Sequence, residues 1–197
     1  MNDLKQAKVP TRWWYWWPVL IGPVAILCIF FLTPDDYVRR SWKPALEVAA
    51  IALTIAALAA GLARFASRRL EYHLLLAMLA MTVLFREIHW NWMDKGVYVM
   101  VAILGAWGWI RRREMDTFLD PNPMARVWLI ATGCTYVLSQ AIARRALRGI
   151  DAALGGVLQE DRFYDDMEEV LECLSHLMLL VTIIVDSRRP LAPRRTK

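Results

Sequence analysis

Apolar runs follow one another along this 197-residue chain too closely for a soluble core of that size to bury them. They fall at about 14–32, 45–63, 74–92, 96–110, 127–143 and 167–185. A helix needs about 20 mainly apolar residues to cross the roughly 30 Å hydrocarbon core of a bilayer, and most of these runs are near that length. Hydrophobic residues make up 57% of the chain and the mean hydropathy is +0.31, which places it in the membrane class. Backbone polar groups in lipid must be satisfied within their own segment, so such runs are expected as helices. The expected fold is all-α: a six-transmembrane-helix bundle, one integral membrane domain over 1–197, with no separate soluble domain.

The punctuation agrees. Five consecutive aromatics, Trp13 to Trp17, read as an interfacial belt. Gly22-Pro23 predicts a kink in the first span, and Thr33-Pro-Asp-Asp36 a turn after it. The second span is rich in alanine, which suits close helix packing. Arg111-Arg-Arg113 stops the fourth span, and Asp120-Pro-Asn-Pro123 turns the chain into the fifth. Residues 144–159 alternate Leu, Ile and Val with Arg and Asp near helical spacing, as a short interfacial helix before the last span would; Gly155-Gly156 breaks it. The tail, 187–197, is basic and suits anionic headgroups.

The net charge of +5 does not form one continuous basic face, which argues against nucleic acid as a partner. Cys28, Cys134 and Cys173 lie in apolar runs without CxxC spacing, so disulfide and zinc-finger frameworks are not expected. The first apolar run lacks an A-x-A-like exit and is followed by further spans, unlike a cleaved signal peptide. Fifteen of the 24 Lys and Arg residues fall on the side of the termini, so both termini are expected in the cytoplasm of a bacterial inner membrane.

That orientation gathers polar residues from several helices at the extracytoplasmic end. The third apolar stretch, Leu74 to Phe85, is too short to cross, and extending it to Trp92 carries Arg86, Glu87 and His89 into the outer bilayer. In the last helix Asp165, Glu169, Glu172 and His176 are spaced four, three and four apart and share a face. Gln140 and Arg144 close the fifth span at the same end, and Glu47 lies in the first turn of the second. Ionisable groups in a span are costly and usually face a partner or a cavity. The candidate binding residues are therefore Arg86, Glu87, His89, Gln140, Arg144, Glu169, Glu172 and His176.

Several roles fit such a set. The simplest is structural: Arg86 pairs with Glu169 or Glu172 and fixes helix register. A lipid headgroup, an anion or a segment of another membrane subunit could bind Arg86, Arg144 and His89, because the guanidinium fork suits phosphate and carboxylate. His89, Glu169, Glu172 and His176 make an imaginable zinc site for a membrane hydrolase, with Glu87 activating water. His89 and His176 could also ligate haem, although the nearby carboxylates suit a haem pocket poorly. The non-catalytic role, binding a polar ligand or headgroup or serving in a membrane complex, is the leading expectation.

Arg86-Glu-Ile-His-Trp90 and Glu168-Glu-Val-Leu-Glu172 resemble the R-E-x-x-W and E-E-x-L-E segments of small uncharacterised bacterial multi-pass membrane proteins. The resemblance implies a multi-pass fold and attaches no activity. Three histidines are too few for the alkaline-ceramidase-like membrane hydrolases.

Overall fold

The aromatic run does not start an α-helix. Trp13–Leu20 winds as a 3₁₀ helix and passes directly into helix α1, Ile21–Leu32. The 3₁₀ form rises about 2.0 Å per residue against 1.5 Å in the α form, so the two together reach roughly 34 Å. Pro18 lies inside the 3₁₀ helix, and Gly22-Pro23, where the sequence predicts a kink, falls in the first turn of α1. The computed structural model describes residues 13–32, 43–88, 93–145 and 161–185, and every regular element among them is helical.

Helix α2, Lys43–Arg68, is longer at both ends than the expected span. Arg69 ends it with φ 53°, a left-handed residue whose N–H donates to the Phe65 carbonyl. Helix α3, Glu71–Glu87, follows at once. Its end corrects the sequence reading: the helix stops at Glu87 and Ile88 is a turn, while 89–92 lie outside the described residues. Helix α4 is Met93–Ile110 and helix α6 is Pro123–Ala143, with its proline in the first turn where no N–H is required. Helix α7 is Asp161–Val185. The interfacial helix expected at 144–159 lies outside the described residues beyond Arg145, as does the tail.

One helix was not foreseen. Arg112–Leu119, α5, is short and amphipathic; Met115 and Phe118 are buried, and Leu119 packs beside them against the α2–α3 core. Their i, i+3, i+4 spacing carries the signal, and the triple arginine before it masks it.

α7 lies at the centre of the packing. It runs along α6 on one side and α2 on the other, and also meets α1 and α3. α3 packs on α2 and carries α4 on its outer side. Two close approaches depend on glycine. A Cβ at Gly61 would stand 3.0 Å from the Ala77 Cβ, and one at Gly22 would stand 3.2 Å from the Thr135 Oγ1. Small residues of this kind let helix backbones come together in lipid.

Polar side chains are buried within a larger apolar core that includes Leu76, Ile142, Leu171, Leu179 and Ile183. Thr54, Thr82, Thr132, Thr135, Ser139, Glu172, Ser175, His176 and Thr182 are buried. Val48, Ile55, Leu62, Val99, Ile103, Ile110, Ile130 and Val137 are exposed. Each buried threonine donates to a carbonyl in its own helix, and the hydroxyls of Thr132 and Thr182 also meet across α6 and α7 at 3.1 Å. The described helices thus cover the expected runs except for 88–92 at the end of the third, where Ile88 is a turn and 89–92 lie outside the described residues. By length and apolarity together, α2 alone among them qualifies to cross a bilayer; Trp13–Ile29 and Gly96–Ile110 are apolar but shorter.

Candidate functional site

Arg86 sits in the last turn of α3 with 27% of its side chain exposed. Its Nη2 donates to Oε1 of Glu172, a carboxylate on α7 that is only 7% exposed. Glu87 and Glu168 each bring a carboxylate oxygen to 4.0 Å from the guanidinium. The same Oε1 of Glu172 accepts from Gln140 Nε2 at 3.1 Å and from Ser139 Oγ at 3.4 Å, both on α6. Gln140 then accepts at its Oε1 from the Tyr98 hydroxyl on α4, at 3.0 Å. The Arg144 guanidinium lies over the Tyr98 ring, 5.1 Å from its centre. A continuous polar relay therefore joins α3, α7, α6 and α4 at one end of the bundle. Bonds to a charged acceptor are about twice as strong as neutral ones, and a buried carboxylate needs them to offset its lost hydration.

The predicted residues divide. Arg86, Glu87, Gln140, Glu172 and His176 come together. Arg144 reaches the same end but rests on Tyr98. Glu169 faces elsewhere: it pairs with Lys43 of α2 at 3.1 Å, and Lys43 also stands 4.0 Å from Glu47. Three residues turn a helix by about 300°, so Glu169 sits roughly 60° round from Glu172, toward α2. Thr82, on the Arg86 face, spends its hydroxyl on the Met78 carbonyl. His89 and the Asp165 side chain lie outside the described residues, so the proposed His89–His176 pair cannot be placed among them.

His176 is fully buried, with its Nε2 3.7 Å from Glu87 Oε1 and its ring edge-on to Tyr136 at 5.6 Å. Neither ring nitrogen makes a hydrogen bond among the described residues, and neither does the buried Tyr136 hydroxyl. Tyr136 and Tyr98 are the residues the sequence reading missed. Tyr136, Gln140 and Arg144 stand four apart on one face of α6, which is a legible signal. Nothing in the sequence sets Tyr98 apart. His73 lies at the opposite end of α3, against Tyr72 and Phe118, as its position predicts.

The zinc reading needs several ligands within reach of one point. Among the described residues no group of three or more His, Cys, Asp or Glu side chains could hold a metal ion. Glu172 is engaged by Arg86 and Gln140, and Glu169 by Lys43.

Beside the relay a cleft of about 600 Å³ separates the α3–α4 pair from α6. Leu79, Val83, Val97, Val101, Val137 and Ala141 are among its apolar walls. Arg86, Tyr98, Gln140 and Arg144 line its polar end, and Tyr136 stands between. Compared with known protein families, curated proteins and solved structures, the chain matches none, so these residues carry the functional reading by themselves.

Proposed function

We propose that this is a multi-pass protein of the bacterial inner membrane, with both termini in the cytoplasm, whose extracytoplasmic end binds a small anionic group without transforming it. The apolar exterior supports the membrane placement. Exposed Val, Ile and Leu, over a core in which threonines and a part-buried ion pair sit among apolar side chains, suit lipid and would be an aggregation hazard in water. Arg86 and Glu87 close α3, and the acidic residues of α7 stand in its first half. Those ends form the relay, so their polar residues are satisfied by each other and not by lipid.

The observation that carries the binding role is Arg144. Its guanidinium stacks on Tyr98, has no carboxylate within ion-pair distance among the described residues, and stands at the rim of the cleft beside Arg86. A cation held on an aromatic face, with no partner for its N–H fork among the described residues, is suited to a phosphate or carboxylate.

Glycerol 1-phosphate tests this directly. Added to the purified protein in detergent at a hundred times its dissociation constant, it should stabilise the fold by about 2.7 kcal/mol, read as a rise in melting temperature. The Arg144→Gln variant should lose that rise. An unmoved wild-type melting temperature, or an equal rise in Arg144→Gln, contradicts the role.

A further inference from the structure

We infer that the cleft holds one acyl chain of an anionic glycerophospholipid from the outer leaflet, with the lipid phosphate on Arg144. This rests on the reading of Arg144 as an anion site and goes further in naming the occupant. Three observations lead to it.

The first is polarity along the cleft. Its lining is mainly apolar around Leu79, Val101, Gly133 and Val137, with Tyr136 set among them, and is polar at Arg86, Tyr98, Gln140 and Arg144. Among the described residues the charged groups that line it are both arginines; the carboxylates of Glu172, Glu87 and Glu168 are not part of its wall. A free anion would use the polar end alone and leave the apolar walls without an occupant. An amphiphile with an anionic head matches both.

The second is length. From Gly133 to Arg144 the wall climbs α6 by roughly eleven steps of 1.5 Å, about 16 Å. Half of a hydrocarbon core of roughly 30 Å is about 15 Å. Along its α6 wall the cleft is about as long as one leaflet is deep. Its volume of about 600 Å³ falls within the range of small-molecule sites.

The third is how the cleft is held open. α4 packs along α3 and hardly touches α6, so the two are kept together at the polar end by the Tyr98–Gln140 hydrogen bond and by Arg144 over Tyr98. At the far end α5 meets α3, α4 and α6. Between these two ties the walls present Val101 and Val137, 43% and 71% exposed. A chain can enter sideways from the bilayer without either tie breaking.

Native mass spectrometry of the full protein, released from mixed micelles holding equal phosphatidylglycerol and phosphatidylcholine of the same chains, tests this. The wild type should keep one phosphatidylglycerol per chain and prefer it by about tenfold over phosphatidylcholine, whose trimethylammonium offsets the phosphate charge that Arg144 meets. Arg144→Gln should bring that ratio near one. Val101→Trp and Val137→Trp fill the cleft from opposite walls at exposed positions, and each should reduce retention of both lipids by about tenfold with the melting temperature kept. Equal retention of the two lipids by the wild type overturns the inference, as does unchanged retention in both tryptophan variants or a lipid-free dimer. The glycerol 1-phosphate shift, measured on the same samples, separates the two readings. If it persists and depends on Arg144 while lipid retention ignores the tryptophans, the anion site stands and the acyl-chain site falls. If it is absent, both fall.

Discussion

Replacing Arg86 with methionine lowers the stability of the folded protein by about 3–5 kcal/mol. The cost comes less from the lost bond than from what remains: Glu172 keeps its charge in a 7% exposed position, where among the described residues only the amide of Gln140 and the hydroxyl of Ser139 answer it. Removing one partner of a buried pair leaves an uncompensated charge, while removing both can be close to neutral. Arg86→Met/Glu172→Gln should therefore be more stable than Arg86→Met alone, and equilibrium unfolding of the four proteins of the cycle measures the coupling. A double variant no better than the single one would mean that the pair is solvated and that the relay does not seal this end of the bundle.

The second large effect lies away from the site. Gly61→Leu drives a branched side chain into the place where α2 meets α3, with the Ala77 Cβ and Cα 3.0 and 3.1 Å from the first added carbon. Neither belongs to a side chain that can swing aside, so the helices must part. Overpacking of this kind costs about 1–3 kcal/mol and more where the backbone must shift. The gentler Gly61→Ala should be partly rescued by Ala77→Gly, which returns the same volume from the other side. Thermal unfolding shows it. An unaffected Gly61→Leu would place α2 and α3 further apart than described here.

Much of this was legible in the sequence. Runs of apolar residues located six of the stretches where helices form, though not α5, because hydropathy over about 20 residues reports burial or lipid directly. Arg86, Glu172 and Gln140 were legible as a meeting point because each interrupts an apolar run near the same end of its helix. Which carboxylate Arg86 would choose was not legible. Glu169 and Glu172 share a helix face within about 60°, and only the position of α2 and its Lys43 sends Glu169 the other way. The stop of α3 at Glu87 was missed because the length argument favoured a full span, whereas a polar end bound to its neighbours lets a helix finish early. Tyr98 entered through packing, since its hydroxyl meets Gln140 only once α4 lies against α3. α5 hid behind three arginines that the eye takes for a loop.

The relay and the Lys43–Glu169 pair require Arg86, Gln140, Glu172 and Lys43 to stand toward one face of the membrane. Topology mapping with an enzyme active only outside the cytoplasm tests it most directly. Alkaline phosphatase fused after Trp90 and after Glu160 should be active, and fusions after Arg69, after Pro121 and at the C-terminus should be inactive. Activity after only one of Trp90 and Glu160 would put Arg86 and Glu172 on opposite faces of the bilayer, and the relay could not form.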